Sequence, residues 1–114
     1  MNSNRAMLAT LKALSDATDG AMPLHQAVVL AAVAAANKDG IEMREIASQA
    51  GISTSSVSRN IAALGDWHRM QKPGLGLVET RMDYQDRRRK PVHLSSKGEA
   101  VWAAFLAKHE EFFK

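Results

Sequence analysis

The stretch MREIASQAGISTSSVSRNIAAL, residues 43–64, decides the fold. It reads as two short helices, 43–50 and 54–64, joined through Gly51, Ile52 and Ser53. Gly51 supplies the backbone freedom that a sharp turn needs. Ser53 is a good N-cap, because its hydroxyl accepts from an orphan amide of the next turn. Ala47 is small enough for the second helix to cross close above the first. Ile46, Ala50, Ile52, Val57 and Ile61 form the apolar side. The second helix is left with Thr54, Ser55, Ser56, Ser58, Arg59 and Asn60. Small hydrogen-bonding groups beside one cation suit the base edges and phosphates of a DNA major groove. The pattern predicts a helix-turn-helix. Ser/Thr clusters also mark plain caps, so the rest of the chain has to be weighed with it.

The 114 residues suffice for one domain, 1–114, with one modest core. Apolar residues make up 46% and charged residues 24%, a balance that argues against disorder. The absence of cysteine excludes disulfides, zinc-thiolate sites and thiol redox sensing. The longest apolar run, 27–36, is far short of the roughly 20 residues of a membrane span. No signal peptide is legible at the N-terminus, so no membrane partner is expected and a cytoplasmic location is the default. The net charge is +3, and its distribution says more than its size. Residues 81–100 hold six cations and three anions, which is the whole formal excess. A charge run is usually a solvated face, but one that carries all the excess beside a helix-turn-helix points to a polyanion.

Outward from that centre, 2–14 reads as a first helix, with Ser3 as its cap and Met7, Leu8, Leu11 and Leu14 on one side. Residues 15–21 read as a loop, so that 1–20 form an N-terminal helix and loop. Pro23 opens a second helix over 23–36 that is apolar nearly all round, with Val28, Val29, Leu30 and Val33 as core candidates. Ile41 and Glu42 allow no more than a stub of strand. Downstream, 65–76 is rich in glycine and reads as a loop. Residues 77–83 and 89–94 read as strands on either side of a basic turn, and Pro91 belongs at an edge or a bulge. Ser95 or Ser96 caps a last helix over 96–113. A strand, a basic turn and a strand after a helix-turn-helix make a winged helix: mostly α, with a small β wing over 77–94.

The wing carries a family resemblance. Residues 83–98, DYQDRRRKPVHLSSKG, are similar to the wing signature of the MarR (multiple antibiotic resistance regulator) family. In outline that signature is D-x-x-D-x-R-x-x-x-V-x-L-(S/T)-x-x-G, and each fixed position is met. Gly76, Leu77 and Val78 resemble the Gly-Leu-Val that leads into the family's wing. The resemblance covers about 20–98, and the wing is its more specific part. It implies a winged-helix transcription regulator, as a rule a repressor, working as a homodimer on double-stranded DNA at a pseudo-palindrome. Its recognition helix lies in the major groove and its wing reaches the flanking minor groove. Carried over to this sequence, Thr54, Ser55, Ser58, Arg59 and Asn60 are expected on bases and phosphates. Asp86 and Arg88 are expected to help shape the wing, and Arg87, Arg89 and Lys90, with Arg88, to reach DNA. The roles of these wing residues are not separable in the sequence.

Two departures stand out. Residues 65–74 look like an insertion of about ten residues that carries Trp67, His68, Arg69 and Lys72. It is either an extra DNA or partner contact or a loop whose tryptophan covers the edge of the core. After the wing there is room for one helix where the family has two. That helix bears Val101, Trp102, Phe105, Leu106, Phe112 and Phe113 over an arc too wide for one buried stripe. The expected dimer interface is therefore Leu8 and Leu11 with Val101, Trp102, Phe105 and Phe112. The alternative is that 1–14 of the same chain covers the last helix. A small-molecule effector is common in the family, but nothing in the sequence marks a pocket. The four histidines have no metal-ligand spacing, and no phosphate loop or catalytic set is placed by a motif, so no enzyme, cofactor or metal is expected. Two other readings stay open. One is a winged helix that serves replication, partitioning or DNA architecture. The other is a protein-interaction module working through the apolar last helix.

Overall fold

Local sequence signals set most element boundaries, and tertiary packing sets the rest. The structure is a computed structural model. It describes residues 2–18, 22–36, 38–65, 74–81 and 89–112, with the backbone alone at 111–112. Five helices and two strands follow in the order α1 (Ser3–Ala17), α2 (Leu24–Ala35), α3 (Met43–Ala50), α4 (Thr54–Leu64), β1 (Val78–Thr80), β2 (Val92–Leu94) and α5 (Ser96–Phe112).

The helix-turn-helix has the expected bounds. Gly51 is left-handed at φ 70°, and the Ser53 hydroxyl accepts from the Ser56 amide at 3.0 Å. Ile46, Ala47, Val57, Ile61 and Leu64 are buried where α3 and α4 cross under α2, which contributes Val29, Leu30, Ala32 and Val33. Val28, expected in the core, is instead 38% exposed. It lies four residues after the exposed Leu24, on the row of α2 that turns away from the helix-turn-helix.

β1 and β2 are antiparallel, with Val78 opposite Leu94, Glu79 opposite His93 and Thr80 opposite Val92. They are shorter than the sequence suggested. Ile41 adds a third rung on the other side of β2: its amide donates to the Val92 carbonyl at 3.1 Å and receives the Val92 amide at 2.8 Å. β2 is thus the middle of the arrangement. Pro91 stands immediately ahead of β2 rather than on an edge or a bulge, and its carbonyl accepts from the Arg81 amide.

The ends of the segment 65–74 meet. Leu75, Gly76 and Leu77 donate to the carbonyls of Ala63, Gly65 and Leu64, so the chain returns to the end of α4 that it left. A Cβ on Gly74 would sit 2.0 Å from the Gly65 carbonyl oxygen, so glycine is needed at this closure. Trp67, His68, Arg69 and Lys72 lie outside the described residues.

α5 is capped by Ser95, whose hydroxyl accepts from the Gly98 amide at 3.0 Å and donates to the Gly76 carbonyl. Gly98 itself is pressed on β1's approach: a Cβ there would lie 1.9 Å from the Leu77 carbonyl oxygen. The serine and glycine that close the wing motif are therefore a cap and a close backbone approach.

α1 differs most from expectation. Its cap is Asn2, not Ser3, with Oδ1 accepting from the Arg5 amide at 2.9 Å. It runs a turn beyond Leu14, through residues whose composition reads as loop. The Lys12–Asp16 pair at 3.0 Å and the Thr18 hydroxyl on the Leu14 carbonyl at 2.9 Å support that turn. α1 packs along α5, and Thr10 meets His109 there at 3.3 Å. The row it buries is Ala6 and Ala13, whereas Met7, Leu8 and Leu11 are exposed.

Candidate nucleic-acid interface

α4 is held by its apolar row and offers its polar row to solvent. Val57, Ile61 and Leu64 are buried, while Thr54, Ser55, Ser58 and Arg59 are exposed. Arg59 makes no hydrogen bond or ion pair among the described residues, so its guanidinium keeps its full donor set. Ser56 and Asn60 are half-buried, and the Asn60 amide donates to the Ser56 carbonyl at 2.9 Å. Asn60 is therefore engaged on its own helix through its nitrogen, with its oxygen left over. The face that the sequence grouped as six residues divides into four presented outward and two turned partly inward.

The wing cations separate as well. Lys90 is exposed. Arg89 places Nε 2.7 Å from Oε1 of Glu42, the residue before α3, and the Glu42 side chain is itself largely covered, at 22% exposure. Arg44 reaches the other oxygen at 3.3 Å. The hydrogen bond from Arg89 is the main reason that the Glu42 carboxyl is held below the usual carboxylate range, and the charges of Arg89 and Arg44 add to it. Asp86, Arg87 and Arg88 lie outside the described residues. Sequence reasoning missed Glu42. Its only signal was an acid where a helix-capping Ser, Thr, Asn or Asp is usual.

The residues expected at a dimer interface are not brought onto one surface. Leu8 and Leu11 are exposed on α1. Phe105 is buried within the single chain, with Trp102 at 5.2 Å and His109 at 6.2 Å between ring centroids. The first helix of the same chain packs along this last helix, the arrangement the sequence offered as the alternative to a dimer. Val101 and Trp102 are half-buried, and both pack against the core. The Phe112 side chain lies outside the described residues.

Two clefts flank this framework. One, of about 290 Å³, lies between the end of α2, the base of the wing and the start of α5, with Lys38, Arg81, His93 and Glu99 at its rim. Arg81 is already paired with Glu79 at 2.6 Å, and burial pushes the His93 imidazole below its usual range, so the rim is close to neutral. The other, of about 150 Å³, runs between Leu11 and Leu14 of α1 and Leu24 and Ala27 of α2. No group of metal-ligating side chains occurs among the described residues, and no described helix is long and apolar enough to cross a membrane.

No protein-family model matches the chain, and no curated protein matches it significantly. Solved structures do. MepR of S. aureus bound to ethidium bromide is 23% identical with a TM-score of 0.69, over 96% of this chain and 70% of that one. The S. aureus MepR–DNA complex is 22% identical with a TM-score of 0.65, over 97% and 78%. CouR of Rhodococcus jostii bound to p-coumaroyl-CoA is 20% identical with a TM-score of 0.65, over 96% and 71%. MepR and CouR are MarR-family winged-helix regulators.

Proposed function

From a chain that carries the fold of the MarR-family winged-helix regulators, we infer a double-stranded-DNA-binding transcription regulator. The observation that supports it most is the outward row of α4. Thr54, Ser55 and Ser58 are exposed around an arginine with no partner among the described residues, on a helix fixed by four buried side chains. Short hydroxyls allow a helix to sink into a major groove, and an unengaged guanidinium reads guanine or grips phosphate. Ser56 and Asn60 line the same groove from its inner side. The wing, with Lys90 and the basic residues 87–88, reaches the flanking backbone and minor groove.

The regulator acts as a homodimer and represses by occupying its operator. α1 supports the dimer, because Met7, Leu8 and Leu11 form an apolar face that the chain itself does not cover. The family resemblance supports the repressor reading, and the DNA complex of a structural neighbour supports the DNA-binding one. The test is selection of bound duplexes from a random pool at physiological salt. An inverted repeat with half-sites about one helical turn apart is the expected result. No enrichment, with binding that vanishes as salt rises, would leave only non-specific phosphate attraction and overturn the reading.

A further inference from the structure

We infer that Arg89 is a positioning residue rather than a DNA contact, and that Glu42 is its anchor: the pair locks the wing to the helix-turn-helix. The inference rests on the DNA-binding reading above and assigns a role within the same site.

Three observations carry it. The first is the bond itself. Nε to Oε1 at 2.7 Å is a short charge-assisted hydrogen bond, in the strong class of such contacts. The second is the state of the acceptor. Arg44 engages Oε2 while Arg89 holds Oε1, so both oxygens are occupied and the carboxylate is oriented. The third is where the bond falls. The neighbouring residues Ile41 and Val92 already exchange both backbone hydrogen bonds. The side-chain link therefore continues a backbone ladder. Within a few residues, the segment that starts α3 and the strand that returns from the wing are joined twice.

That location gives the pair a task. α4 and the wing have to meet different grooves of one duplex, so the angle between them is part of the recognition geometry. The joint that sets the angle lies at 41–42 and 89–92. An arginine committed to a carboxylate neutralises no phosphate. Its loss loosens the wing but leaves the number of phosphates contacted unchanged. Lys90, exposed beside it, is the described wing cation that remains for the backbone.

The experiment uses the full chain and the duplex selected for the wild type, with affinity measured across a salt series. The variants are E42A, R89A, the double variant E42A/R89A and the charge exchange E42R/R89E, each checked for fold by circular dichroism. Each single change is expected to weaken binding about threefold to tenfold, and the double variant no more than the weaker single, as coupled residues behave. The salt slope is expected to stay at the wild-type value, and the charge exchange to recover only part of the loss, because E42R stands beside Arg44. Three results would overturn the inference: E42A binding more tightly because Arg89 has been released to phosphate, R89A lowering the slope by about one, or the losses of E42A and R89A adding in the double variant. If the wild type shows no sequence-selective binding, it is the DNA-binding reading that fails. The Glu42–Arg89 coupling is then decided by the same cycle in urea unfolding, where additive losses would refute it.

Discussion

Arg59 and Asn60 are neighbours on α4, and their environments separate what each can contribute. Among the described residues Arg59 has no partner to lose on binding DNA, whereas the Asn60 amide nitrogen already donates to the Ser56 carbonyl. Arg59→Ala is therefore expected to cost about 1–3 kcal/mol of specific binding, the range for one good contact to a base. Asn60→Ala is expected to cost less. Fluorescence anisotropy on the selected duplex would check the order, and equal losses would mean that Asn60 turns outward on binding. Two glycines make a similar contrast in stability. Gly51 is left-handed, but a Cβ there would meet nothing within 4 Å. Gly51→Ala then costs only the backbone term, about 1–2 kcal/mol. At Gly98 the added carbon would collide with the rigid Leu77 carbonyl, so the start of α5 has to move off β1. Gly98→Ala is expected to destabilise more than Gly51→Ala, by a larger shift of the urea midpoint.

Between elements, His93 on β2 is packed against the turn that precedes α3. A Cβ on Gly40 would fall 2.7 Å from its Nε2. Burial lowers the imidazole pKa from its ordinary 6.5, Arg81 lowers it further, and Glu79 and Asp39 oppose. Because the folded pKa is the lower one, the unfolded chain takes up more protons between the two values. Stability is then complete above about 6.5 and falls as pH drops from there to the folded value. Urea unfolding from pH 7.5 to 5 should show an acid loss that His93→Gln reduces, and superimposable pH profiles would refute it. This packing was hidden in the sequence, where His93 is one of four scattered histidines. What was legible follows from local chemistry: Gly51 and Ser53 fix the turn and cap between α3 and α4, and Ser95 fixes the start of α5. What was not legible depends on partners distant in sequence. The last turn of α1 lies in a stretch of loop composition that α1's packing on α5 helps hold helical. The helix buries alanines because two helices approach closely at small residues, and Leu8 and Leu11, on the side that periodicity picked out, are left exposed. Arg89 read as a free cation because Glu42, 47 residues away, gives no sign of meeting it.

At the scale of the molecule, the chain is longer than its mass requires. The extents are 47 × 30 × 26 Å and the radius of gyration is 14.5 Å, against about 13 Å for a compact chain of this length. The main core gathers α2, α3, α4 and the wing base with Val101 and Trp102 of α5, and contains no residue of α1. α1 rests chiefly on α5, with Met7, Leu8 and Leu11 at 51%, 67% and 51% exposure. Exposed apolar side chains grouped on one face of a helix mark a place where a partner docks. A second copy offers the same face, and a two-fold axis through it makes one patch serve both sides. Leu8→Glu with Leu11→Glu is therefore expected to give a monomer by sedimentation, because four carboxylates would face one another across the axis. The fold should survive, since both side chains lie outside the core. On DNA, such a monomer should bind a single half-site about as well as the wild-type protein does at equal subunit concentration. It should lose the extra affinity of the inverted repeat, since that gain comes from joining two sites rather than from any new contact. A variant that remains dimeric would move the interface elsewhere. A variant that is monomeric yet keeps full affinity for the repeat would mean that the two half-sites are read independently.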